Sequence, residues 1–120
     1  MVQSNEDLIR SLYEARERDD LEAVRFMLAD GIVWREPDLD NPHTGNLRGP
    51  EAVLGMIREA QRITGGTFRL VPSEIVAHGG QVVAFIDWSA ERDGARIEGK
   101  EIAVYPCAGR QDSGGFFPRR

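Results

Sequence analysis

Cysteine and histidine are scarce in this chain of 120 residues: Cys107 stands alone, and His43 and His78 are its two histidines. A lone thiol excludes an internal disulfide, and the two imidazoles lie too far apart to match a zinc-binding spacing. No apolar run approaches the roughly eighteen residues that a membrane-spanning helix needs. Positive charge is not in excess either. Fifteen Lys and Arg against twenty Asp and Glu leave a formal net charge of -5, and the arginines are scattered. A nucleic-acid partner would call for a basic face, so none is expected. Glycine pairs occur at Gly79-Gly80 and Gly114-Gly115, but without the strand–turn–helix setting that cradles phosphates. Neither a metal nor a cofactor is called for.

What is present reads as one globular domain. The chain is 41% hydrophobic and 29% charged, and a chain of this size buries roughly two-thirds of its unfolded surface, enough for one core. The opening MVQSNEDLIR is polar and acidic, unlike a secretory signal, so a cytoplasmic location is expected.

Ser4 followed by Asp7 forms a capping pattern, and Leu8, Ile9, Leu12 and Tyr13 then share one helical face, predicting a helix to about Arg18. Asp19 with Glu22 repeats the signal, and Leu21, Val24 and Leu28 form a second apolar stripe up to Asp30-Gly31. Ile32, Val33 and Trp34 favour a strand, which Glu36-Pro37 ends because proline cannot donate to a ladder. Asp38 to Gly49 reads as a loop. Pro50 suits the first turn of a third helix carrying Val53, Met56, Ile57, Ala60 and Ile63, closed by Gly65-Gly66.

From Phe68 onward the period is that of extended chain, and the turn signals at His78–Gln81 and Arg92–Ala95 divide it into a three-stranded meander. If Asp93-Gly94 is a two-residue turn, Glu91 faces Arg96, Trp88 faces Gly99, Asp87 faces Lys100 and Ile86 faces Glu101. Ala84, Ile86, Trp88 and Ala90 then share a face with Ile97, Gly99, Glu101 and Ala103, one acid among apolar neighbours. The other face carries Val83, Phe85, Ile102 and Val104, more apolar surface than a solvated face needs. It reads as a homodimer surface, with burial inside the domain as the alternative. The tail over 108–120 has no strand periodicity. A one-base shift within codons for Gln111–Gly115 could restore it by reading Arg-Ile-Ala-Glu-Val, a hypothesis that the gene sequence tests.

This order of elements resembles the SnoaL-like and ketosteroid-isomerase-like branch of the nuclear transport factor 2-like superfamily. The likeness is carried by Asp20-Leu21-Glu22-Ala23-Val24, Leu28 through Pro37, Gly49-Pro50-Glu51-Ala52-Val53 and Glu101-Ile102-Ala103-Val104-Tyr105. The resemblance implies an α+β fold: a cone-shaped, curved antiparallel sheet with three N-terminal helical segments enclosing a pocket, often dimeric. It implies a final strand where this chain carries its irregular tail. It also implies a proton-moving acid at Glu36 and a second acid, donating to an oxyanion, at Glu101. The isomerases' tyrosine would fall near Leu12, one residue from Tyr13.

A carboxyl group in an apolar pocket has its charged form disfavoured, which makes it useful near neutral pH as a base or neutral donor. Glu36 and Glu101 are the candidate pair. They also fit as ordinary ion pairs, Glu36 with Arg35 or Arg48 and Glu101 with a helix arginine. His43, on the loop that would border the pocket mouth, is a candidate proton shuttle or a solvated residue. Trp34 and Trp88 face inward by strand alternation and, with Tyr13 and Met56, are candidate walls for a small hydrophobic molecule or plain core. His78 reads as a solvated hairpin residue and Cys107 as an inert thiol. The function expected is cofactor-free proton transfer on a small hydrophobic carbonyl compound, the alternative a non-catalytic ligand-binding or dimerisation domain.

Overall fold

The structure, a computed structural model, describes residues 4–36 and 45–107. The expectations placed on His43 and on the tail from residue 108 lie outside these residues.

Helix α1 (Asn5–Glu17) begins where Ser4 Oγ accepts the backbone N–H of Asp7 at 3.1 Å, and it buries Leu8, Ile9, Leu12, Tyr13 and Ala15. Helix α2 (Leu21–Met27) is capped by Asp20, whose carboxylate accepts from the Ala23 N–H at 3.2 Å. The sequence pointed to Asp19 for this role. Asp19 instead takes a left-handed φ of 58° at the corner between the helices, a conformation Asp tolerates better than most residues. The apolar stripe also outlasts the helix: Leu28 is buried, but as an extended C-cap residue.

Strand β1 (Val33–Glu36) pairs antiparallel with β2 (Gly45–Arg48), Trp34 opposite Leu47 and Glu36 opposite Gly45. Strand β2 falls inside the stretch 38–49 that reads as loop. Its four residues GNLR carry one apolar side chain, so only pairing with β1 and packing of Leu47 on the core reveal it. Gly49, at φ 86°, turns the chain into α3 (Pro50–Ile63), with Pro50 in the first turn. Val53, Leu54 and Ile57 are buried and Met56 is half-buried. Ile63, assigned to the same stripe, is exposed, whereas Thr64 beside it is buried. Gly66 donates to the Gln61 carbonyl at 2.8 Å to end the helix.

The remaining strands, β3 (Arg69–His78), β4 (Gln81–Arg92) and β5 (Ala95–Pro106), form an antiparallel meander in that order. Both hairpin turns have positive φ at their two central residues, Gly79-Gly80 and Asp93-Gly94, the conformation that matches strand twist. The β4–β5 register is the one that the turn chemistry dictates: Ile86 opposite Glu101, Asp87 opposite Lys100, Trp88 opposite Gly99, Glu91 opposite Arg96. Lys100 meets Asp87 at 2.7 Å, whereas Arg96 pairs at 3.1 Å with Glu98 of its own strand. The β3–β4 register slips between Pro72 and Glu74, where Ser73 Oγ donates to the Phe85 carbonyl at 3.1 Å. A bulge of this kind bends a strand, and Pro72 is tolerated because β3 is an edge strand. The sheet's inner side packs on α1, and α3 joins the same core through Val53, Leu54 and Ile57. The fold is α+β: three helices with a two-stranded and a three-stranded antiparallel sheet among the described residues.

Candidate functional site

The inner face of the meander is built by strand alternation. Strand β4 buries Val82, Ala84, Ile86 and Ala90. Strand β5 turns Gly99, Glu101, Ala103 and Tyr105 to the same side, half-buried or buried, and leaves Lys100, Ile102 and Val104 exposed. Glu101 thus stands half-buried opposite the fully buried Ile86, an acid in an apolar row.

Toward the end of β5 lies an aromatic cluster. Tyr105 and Tyr13 are each 3% exposed, and their hydroxyls share a short hydrogen bond. Their rings meet edge to face with centroids 6.2 Å apart, and the Trp34 ring approaches Tyr105 in the same way at 6.1 Å. Burial holds the Tyr105 hydroxyl well above its ordinary pKa. Tyr13 and Glu101 push in the same direction, and the Arg16 guanidinium opposes them. Tyr105 is therefore a neutral hydrogen-bond donor across the physiological range. It was not among the residues singled out from the sequence, although two further steps of alternation past Glu101 lead to it.

Trp88 sits at the opposite end of the row. It lies over Gly99, where an added Cβ would come within 2.8 Å of the indole ring, and its centroid is 6.3 Å from that of Phe68. Trp34 and Trp88 therefore belong to two separate clusters and not to one wall. Met56 packs against the core from α3. Glu36 ends β1, two residues beyond Trp34. His78 is exposed at the end of β3. Cys107 is buried, and burial pushes its thiol up to about 11, which suits an inert group.

A cleft of about 120 Å³ opens elsewhere, between α1, α3 and the start of β3. Arg16, Glu17, Ile57, Gln61, Phe68 and Leu70 line it, and neither Glu101 nor Trp34 does. No group of three or more His, Cys, Asp or Glu side chains among the described residues is arranged to hold a metal ion. Among the same residues, no helix is long and apolar enough to cross a membrane.

The family model described as the SnoaL-like domain matches residues 9–110. No curated protein matches the chain. Among solved structures, Bal32a from a soil-derived mobile gene cassette is 22% identical, with a TM-score of 0.79 over 92% of this chain and 82% of that one. An NTF2-like protein of unknown function from Burkholderia pseudomallei is 26% identical, with a TM-score of 0.78 over 94% and 86%. IdmH from Streptomyces antibioticus, provisionally assigned as a polyketide cyclase, is 22% identical, with a TM-score of 0.72 over 93% and 86%.

Proposed function

Because the chain belongs to the SnoaL-like family of the nuclear transport factor 2-like superfamily, we propose that it is a proton-transfer enzyme. It acts as an isomerase, cyclase or dehydratase on a small hydrophobic carbonyl compound. Glu36 is the base that removes a proton beside the carbonyl. Glu101 is the neutral or polarising acid at the developing oxyanion, and His43 is an auxiliary group at the mouth. Trp34, Tyr13 and Met56 form one wall, and Trp88 forms the far end.

The observation that carries this reading is the half-buried Glu101 in the same inward row as the neutral, buried Tyr105, whose hydroxyl is bonded to Tyr13. Enolate formation concentrates negative charge on oxygen, and donors fixed in a poorly hydrated site lower its energy more than water can. The cyclase assignment of IdmH favours carbonyl chemistry of the same class. Exchange of the α-protons of small cyclic ketones for deuterium, followed by NMR, tests the proposal. Glu36→Gln and Glu101→Gln should each slow exchange by roughly 100-fold or more. Equal rates in both variants and the parent chain would refute the roles.

We also propose that the chain is a homodimer through the outer sheet face. Ile102, Val104 and Val71 are 66%, 54% and 51% exposed there, beside exposed Val76 and Phe85. A contiguous apolar face of this kind is uncommon on a monomer.

A further inference from the structure

The cleft between α1, α3 and β3 carries a charged group whose needs the described residues do not meet. Arg16 lines it, half-buried, and forms no ion pair among the described residues. Gln61, also lining it, is held in place by donating from Nε2 to the Phe68 carbonyl at 2.8 Å. A guanidinium without an ion pair among the described residues, in a chain of net charge -5, is out of keeping with its surroundings.

The other charges at the rim cancel: Arg69 and Glu17 pair with one another. One net positive charge remains. Ile57 and Leu70 are buried, and with the half-buried Phe68 they give the cleft an apolar wall. At about 120 Å³ it has room for a small ring or branched chain but not for a polymer.

We propose that this cleft is a binding site for a small monocarboxylate with an apolar body, the carboxylate held by Arg16 and the body seated against Ile57, Phe68 and Leu70. A guanidinium fork matches a carboxylate in shape and charge, and such charge-assisted bonds are about twice as strong as neutral ones. Phe68 also packs against Trp88, and the Arg16 charge reaches Tyr105, so an occupant here adjoins the inner face without lying on it. The proposal does not depend on Glu36 or Glu101.

Titration of the methyl-labelled chain with benzoate, followed by NMR, tests it. Benzoate should shift the Ile57 and Leu70 methyls saturably and leave Ile86 unmoved. Arg16→Gln should weaken binding roughly tenfold or more, and the uncharged isostere benzamide should bind the parent chain correspondingly less well. Glu101→Gln, which impairs the proposed catalysis, should leave the titration unchanged, so the two proposals fail separately. Unmoved Ile57 and Leu70 methyls, or equal benzoate affinity with and without Arg16, would overturn the assignment. Equal affinity of the parent chain for benzamide and benzoate would overturn it too, without relying on any variant's folding.

Discussion

The hydroxyls of Tyr13 and Tyr105 share a hydrogen bond inside the core, joining α1 to β5 across 92 positions of sequence. Removing either hydroxyl leaves the other with one buried partner fewer. Tyr13→Phe and Tyr105→Phe should each cost about 1–2 kcal/mol in urea unfolding, and the double variant should cost less than their sum by about 0.5 kcal/mol or more. Strict additivity would mean that the two hydroxyls are not coupled.

Gly99 is required by its neighbour and not by its backbone. An alanine there would place Cβ within 2.8 Å of the Trp88 indole, a ring that cannot yield as a flexible chain end can. Gly99→Ala should destabilise by about 1–3 kcal/mol and alter tryptophan fluorescence. Gly55, exposed within α3 with nothing near its missing Cβ, is the control: Gly55→Ala should stabilise by about 0.5–1 kcal/mol. Loss of stability at position 55, or none at position 99, would contradict the packing described.

Stability should fall in mild alkali. The Cys107 thiol is pushed up to about 11 by burial, from a usual value of about 9. Between those values the unfolded chain has released the proton and the folded chain has kept it, so unfolding gains as pH rises. The loss is about 2–3 kcal/mol by the upper end, with buried Tyr105 acting in the same direction. Urea midpoints across this window check it, and Cys107→Ala should flatten part of the slope. A midpoint constant through the window would show that the thiol is not shielded in the folded state.

Ile102 and Val104 lie on the exposed side of β5, two residues apart. Replacing both with lysine should convert a sedimenting dimer into a monomer with little change in unfolding free energy per chain beyond the lost association. A parent chain that sediments as a monomer would refute the dimer proposal outright.

Local chemistry made the helices and the meander readable. Ser4, Pro50 and the two glycine-containing turns act within a few residues of themselves. The Asp93-Gly94 turn in turn dictates a register that places Glu101 opposite Ile86. Where two local signals compete, the sequence is ambiguous: Asp19 and Asp20 are both capable caps, and only the chain's path between α1 and α2 selects Asp20. Strand β2 reads as loop because four residues with one apolar side chain carry almost no pattern of their own.

Patterning, capping and turn residues, each acting over a short stretch of chain, determined the element order, the β4–β5 pairing and the inward face of Glu101. The tertiary structure alone decided that Tyr13 meets Tyr105, that the two tryptophans stand apart, and that Arg16 and Gln61 face one cleft. Those pairings are set by packing between elements distant in sequence, and no periodicity within a single element encodes which distant partner it will touch.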